Sequence, residues 1–133
     1  MRLFDVQSIE IRAARERIFD FVCDPRNLPK WARAFQSADR ERARLETPAG
    51  AVEIRLRTEA EAKAGTVDWT LEFPDRSIAL AQSRVTPTTR GSCIYTFVLH
   101  APPVPLEQIE GALDRQSATL REELSALKSL LER

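Results

Sequence analysis

The sequence predicts an α+β fold: a curved antiparallel sheet of about six strands wrapped around a long C-terminal helix, with two short helices after the first strand. Three observations carry this. From Asp39 to His100 apolar and polar residues alternate with period two, as in strands with one face in a core and the other in water. From Leu106 to Leu131 leucine and isoleucine recur at three-four spacing, as in an amphipathic helix. Neither unit can bury its apolar face alone, so each must cover the other.

Residues 3–12 read as the first strand, with Ile9 and Ile11 on one face and Glu10 and Arg12 on the other. A helix follows at about 14–23, with Ile18, Phe19 and Val22 at helical spacing and Phe21 and Cys23 beside them. Asp24-Pro25 ends it, because a residue before proline is pushed out of the α region. Leu28, Trp31 and Phe35 predict a second short helix at 28–35, with Trp31 and Phe35 stacked on one face.

The meander comes next. Val52, Ile54 and Leu56 alternate with Glu53, Arg55 and Arg57; Val67, Trp69, Leu71 and Phe73 alternate with Asp68, Thr70 and Glu72; Cys93, Tyr95, Phe97 and Leu99 share a face. Thr47-Pro48-Ala49-Gly50 predicts a tight turn that pairs Leu45 with Val52 and Arg44 with Glu53, so opposite charges meet. Ala64-Gly65, Pro74-Asp75 and Arg90-Gly91 are three more turns, giving about five strands after the helices. Ala101-Pro102-Pro103-Val104-Pro105 stops the sheet. The helix at 106–132, carrying Leu106, Ile109, Leu113, Leu120, Leu124, Leu127 and Leu131, is then roughly 40 Å long, enough to cross a small sheet.

With 133 residues, 43% of them hydrophobic, the chain fits one domain, residues 1–133, with one core. Twenty basic and twenty acidic residues cancel, which argues against a nucleic-acid partner. No stretch approaches the roughly 18 apolar residues of a membrane span, and the N-terminus has no signal-peptide run, so the expected location is cytoplasmic. Cys23 and Cys93 read as small buried hydrophobes. One histidine, no paired cysteine motif and four glycines leave no zinc cluster, phosphate loop or dinucleotide fingerprint; no metal, cofactor or catalytic residue is assigned.

A curled sheet and a straight helix touch along a line and diverge elsewhere. The space between is expected to hold a small hydrophobic molecule, the helix lying in the concavity without filling it. The candidate lining is Ile54, Leu56, Trp69, Leu71, Leu80, Tyr95, Phe97, Leu113, Ser117 and Leu120, with Trp31 and Phe35 at the mouth. Most of these residues serve a core whether or not a ligand exists. Trp69 and Tyr95 stand out because each has a polar atom that needs a partner when buried.

The register of the strand holding Leu80 stays open. Continued alternation would carry Gln82 and Arg84 inward with Leu80; the other phase puts Ala79, Ala81, Ser83 and Val85 inside. An outward Arg84 is favoured because an unpaired buried charge is costly. Gln116 and Ser117 interrupt the last helix's stripe and mark either a void or a close helix–sheet contact. His100 reads as a strand-end histidine without an orienting carboxylate.

The run Ile9-Glu10-Ile11-Arg12-Ala13-Ala14-Arg15-Glu16-Arg17-Ile18-Phe19-Asp20-Phe21-Val22, with Asp24-Pro25, Asn27-Leu28-Pro29 and Trp31, resembles the opening of the START-like (SRPBCC, polyketide cyclase/dehydrase type) superfamily. The sequence departs from that pattern at Ala14-Arg15, where the family often has proline. The resemblance implies a helix-grip fold with a hydrophobic cavity. Members variously bind lipids, hormones, quinones or polyketides, some catalyse cyclisation or dehydration, and some act through protein contacts. The leading expectation is binding or transport of a small hydrophobic ligand. The alternatives are a cyclase/dehydratase using Tyr95 and a bound water, or a protein-interaction module without a ligand. A homodimer through an edge strand or the helix's exposed rim is compatible with the sequence, which does not require one.

Overall fold

The computed structural model describes residues 2–105 and 108–133, so Leu106, with which the predicted last helix begins, lies outside the described residues. The elements run β1 (Phe4–Ile11), α1 (Arg15–Cys23), a 3-10 turn (Pro25–Asn27), α2 (Leu28–Trp31), β2 (Phe35–Ala38), β3 (Arg42–Thr47), β4 (Gly50–Glu61), β5 (Thr66–Glu72), β6 (Ile78–Pro87), β7 (Cys93–His100) and α3 (Ile109–Leu131). The strands form one antiparallel sheet in the order β1-β7-β6-β5-β4-β3-β2. The first strand thus returns to pair with the last, as a sheet curled around a helix requires.

The sheet has seven strands, one more than expected. The extra strand, β2, begins at Phe35, where the sequence predicts the end of a helix. Helix α2 stops at Trp31 because Ala32 leaves the helical region (φ −97°, ψ 104°). The chain then pairs with β3, Phe35 opposite Leu45 and Glu46 N–H donating to Ala34 O. Tertiary pairing overrides a helical spacing that only one turn supports. Elsewhere the pairing follows the expectation: Leu45 faces Val52 and Arg44 faces Glu53 across the Thr47–Gly50 turn.

The core lies between the concave face and the helices. Ile18, Phe19 and Val22 of α1, Leu28 and Trp31 of α2, and Leu120, Leu124, Leu127 and Leu131 of α3 cover Ile54, Leu56, Val67, Trp69, Val85, Tyr95 and Phe97. Helix α3 runs beside β1 in the same direction. Arg2 reaches Asp114, the Gln7 amide donates to Ser117 O, Lys128 Nζ donates to Glu10 O, and Arg12 N–H donates to the Glu132 carboxylate. Helix α1 closes the end of the sheet at the β4–β5 turn, where the Arg15 guanidinium donates to Ala62 O. No helix among the described residues is long and apolar enough to cross a membrane.

Candidate functional site

The concave face divides into two zones. In the first, four aromatic rings pack edge to face or stacked. Trp31 meets Tyr95 and Phe97 at centroid distances of 6.3 and 6.4 Å, Tyr95 meets Phe97 at 6.4 Å, and Trp69 stacks on Phe97 at 5.9 Å. All four are buried, Tyr95 completely. In the second zone Leu71, Phe73, Ala79, Ala81 and Leu99 are only half-buried. They adjoin one another on β5, β6 and β7, since Leu71 pairs with Ala79 and Ala81 pairs with both Trp69 and Leu99.

Trp69 and Phe97 stand on β5 and β7 with β6 between them, yet their rings stack. That contact needs small side chains on the intervening strand. Ala81 and Ser83 supply them, and Val85 continues the inward row. Leu80 is therefore on the convex face, 42% exposed, and its place in the predicted lining is corrected. Gln82 and Arg84 point outward with it, as the cost of a buried arginine implies.

The polar atoms of this interior are unevenly served. Ser83 Oγ donates to Val67 O at 2.7 Å. The indole nitrogens of Trp31 and Trp69, the Tyr95 hydroxyl and Thr58 Oγ1 are buried without a hydrogen-bond partner. Thr58 lies opposite Trp69 across the β4–β5 ladder. It continues the inward phase Val52-Ile54-Leu56, and a hydroxyl at that position was the signal that sequence reasoning passed over. Burial pushes the Tyr95 phenol above its ordinary pKa, and the Ser83 hydroxyl opposes this less strongly.

Ser117 belongs to a different place. Its carbonyl accepts from Gln7, while its hydroxyl is buried without a hydrogen-bond partner near the Asp5 carboxylate, whose pKa is held low first by the Gln7 amide. At the gap in the stripe at Gln116-Ser117 the contact with the sheet runs through the Ser117 carbonyl, and the serine hydroxyl itself meets no partner. Leu120 joins the aromatic core, whereas Leu113 is buried apart from it. Ile54 and Leu56 are buried in the core on β4, and Phe35 is half-buried at the start of β2. His100 bonds to Gln82 at 2.8 Å on the convex side. Cys23 and Cys93 are free thiols, the first half-buried and the second buried, each with its pKa raised by burial.

One acidic group at the margin of the aromatic zone went unnoticed in the sequence. The Glu123 carboxylate on α3 accepts from Arg33 N–H at 2.6 Å, and Glu122 pairs with the Arg33 guanidinium. Together they pin the loop that follows Trp31. Burial raises the Glu123 carboxyl to about 7, which the Arg33 amide and charge only partly counter.

Two open clefts, of about 380 and 390 Å³, lie on the surface. The first, at the rim of the half-buried zone, is lined by Arg42, Glu53, Ile54, Arg55, Glu72, Phe73, Pro74 and Arg76; the second by Arg26, Asp39, Arg40 and Glu41. No group of three or more potential metal ligands occurs among the described residues.

No family model matches the chain, and no curated protein matches it in sequence. Solved structures do match it in shape. The protein XoxI from Bacillus cereus is 17% identical, superposes with a TM-score of 0.72, and is matched over 98% of this chain and 96% of its own. A START superfamily protein from Mycobacterium smegmatis is 16% identical with a TM-score of 0.71, over 98% of both chains. The di-domain ARO/CYC BexL of the BE-7585A biosynthetic pathway is 19% identical with a TM-score of 0.71, over 97% of this chain and 46% of its own. The fold is therefore START-like, a curled antiparallel sheet gripping a C-terminal helix.

Proposed function

We propose that the chain binds a small, largely apolar molecule on the concave face, between the half-buried zone and the aromatic floor. The observation that carries this reading is the set of unpartnered buried polar atoms of Trp31, Trp69 and Tyr95 in one aromatic cluster. A buried donor without a partner costs about 1–3 kcal/mol, and native interiors rarely leave three together. A flat molecule with one or two carbonyl or hydroxyl groups would supply the acceptors, and the rings would supply the stacking surface. The half-buried residues Leu71, Ala81 and Leu99 mark the approach, since Ala81 is the direct ladder neighbour of Trp69.

The rings are packed against one another, so binding requires Trp31 to move. Helix α2 is a single turn, so little backbone has to shift for Trp31 to swing, and that movement would release the Arg33 contacts to Glu122 and Glu123 that pin the following loop. Proton transfer by Tyr95 finds no comparable support. Its hydroxyl is fully buried and its pKa is shifted away from neutrality.

Tryptophan fluorescence titrated with 1-anilinonaphthalene-8-sulfonate tests the proposal, alongside native mass spectrometry of the protein as purified. The expected result is saturable energy transfer from the buried indoles. Ala79→Phe, which fills the half-buried zone opposite Leu71 without entering the Trp69–Phe97 stack, should abolish it; Gln82→Ala, on the other face of the same strand, should leave it unchanged. Absence of any co-purifying mass together with a titration indifferent to Ala79→Phe would discard the reading.

A further inference from the structure

The two free edges of the sheet are protected unequally. Edge strand β2 has four residues and an irregular register between Phe35 and Ser37, a form that resists further pairing. Edge strand β1 has eight. Leu3 O accepts from Ala101 N–H on the side of β7, while Glu10 O and Arg12 N–H are met by Lys128 of α3 and Glu132 just past its end. Backbone groups alternate in direction along a strand, so those of Phe4, Val6 and Ser8 face the free edge with Glu10 and Arg12. The second half of that edge is stoppered by α3. The backbone of the first half has no partner along this edge among the described residues, and its outward side chains are apolar and uncovered: Phe4 is 55% and Val6 51% exposed.

We infer that this open half of β1 pairs with the same segment of a second copy of the chain, antiparallel, across a two-fold axis at Val6. The register follows from what the segment permits. An axis at Val6 sets Phe4 against the second copy's Ser8 and Arg2 against its Glu10, so opposite charges meet twice. Arg2 and Glu10 have side chains half exposed, although Arg2 also reaches Asp5 and Asp114, and Glu10 accepts from Ser92. An axis at Asp5 would oppose two aspartates. An axis at Gln7 would oppose Arg2 and Arg12, and one at Ser8 would run into Lys128 and Glu132. Pairing at Val6 ends where the stopper begins, and it joins the two Phe4–Val6 stripes into one apolar ridge beside Val98, the ladder partner of Val6.

Sedimentation equilibrium of the full chain tests this, with the expected species twice the chain mass of 15.1 kDa. Val6→Lys should shift the equilibrium to monomer. Arg2→Glu and Glu10→Arg should each weaken association, and the double variant should restore it. Under mild oxidation Val6→Cys should cross-link two chains, because paired strand positions bring Cα atoms to about 5.5 Å, within disulfide reach; Phe4→Cys, opposite Ser8, should not. Circular dichroism verifies that each variant is folded. A wild type that stays monomeric, or a dimer indifferent to Val6→Lys with no Val6→Cys cross-link, would overturn the inference.

Discussion

Two hairpins at opposite ends of the sheet solve the same backbone problem with different residues. The β4–β5 turn closes at Gly65, φ 74°; the β5–β6 turn closes at Arg76, φ 75°. At Gly65 an added Cβ would sit 2.6 Å from Val85 O and 3.2 Å from the Arg15 guanidinium. Val85 N–H also donates to Gly65 O at 2.8 Å, so the approach is itself a ladder contact under α1. At Arg76 the side chain is exposed at the rim of the half-buried zone. The α1 end is thus specified by close packing, which admits one residue type. The opposite end carries backbone strain with nothing pressing on it.

The strongest way to break this contrast is Gly65→Ala. Left-handed strain of roughly 1–2 kcal/mol adds to a clash with backbone that cannot swing aside, so a loss above about 2 kcal/mol is expected in urea unfolding. A loss under about 0.5 kcal/mol would mean that the α1 end yields as easily as the rim.

What the sequence made legible divides along the same line. Strict alternation and the Thr47–Gly50 turn were enough to set the β3–β4 register residue by residue, and the leucine stripe located α3. Strand β2 was hidden because Leu28, Trp31 and Phe35 fit a helical spacing, and four bulged residues show no alternation to contradict it. The inward face of β6 was ambiguous because Ile78 and Leu80 are as apolar as Ala79 and Ala81. The stacking of Trp69 on Phe97 resolves it, and that contact spans 28 residues of chain and no local pattern announces it. The candidates on β4, β5 and β7 came out on the concave face because their phase was unambiguous. Ser117 went elsewhere because a serine in an apolar stripe fits a void and a tight contact equally.

The loop that follows Trp31, at the margin of the aromatic zone, offers a titration. Glu123 ionises at about 7 in the folded chain against an ordinary value of 4.5, so the folded state holds the extra proton between those limits. Stability from this group is full below about pH 4.5 and is lost as pH rises through 7. Carboxylates held low, such as Asp5, Asp39 and Asp75, act in the opposite sense and in a more acid window. Glu123→Gln keeps an acceptor for Arg33 N–H and removes the charge. It should flatten the fall between pH 4.5 and 7 and raise the melting temperature by a few degrees at pH 8, about 1 kcal/mol after screening of a half-buried group. An unchanged slope would show that this loop is wet and the margin already open.

Within the aromatic zone, Tyr95→Phe keeps the ring contacts and deletes a hydroxyl with no partner. Stability should hold or rise by about 1 kcal/mol. A fall of that size would mean that the hydroxyl is bonded to Ser83 in solution and that the unmet donors are the two indoles alone.

Arg76→Gly is the smallest expected effect and the sharpest on the rim. Glycine takes φ 75° without the Cβ penalty but adds freedom to the unfolded chain, so the gain should be about 0.5–1 kcal/mol. The turn's other bonds do not depend on the arginine side chain: Phe73 N–H donates to Ser77 O, Arg76 N–H to Phe73 O, and Ser77 to the Asp75 carboxylate. A higher urea midpoint at unchanged slope would show that the strain is real and uncompensated. A lower one would mean that the guanidinium works at the rim, in the cleft it shares with Arg42, Arg55, Glu53 and Glu72. The open end would then be held by charge as the α1 end is held by packing.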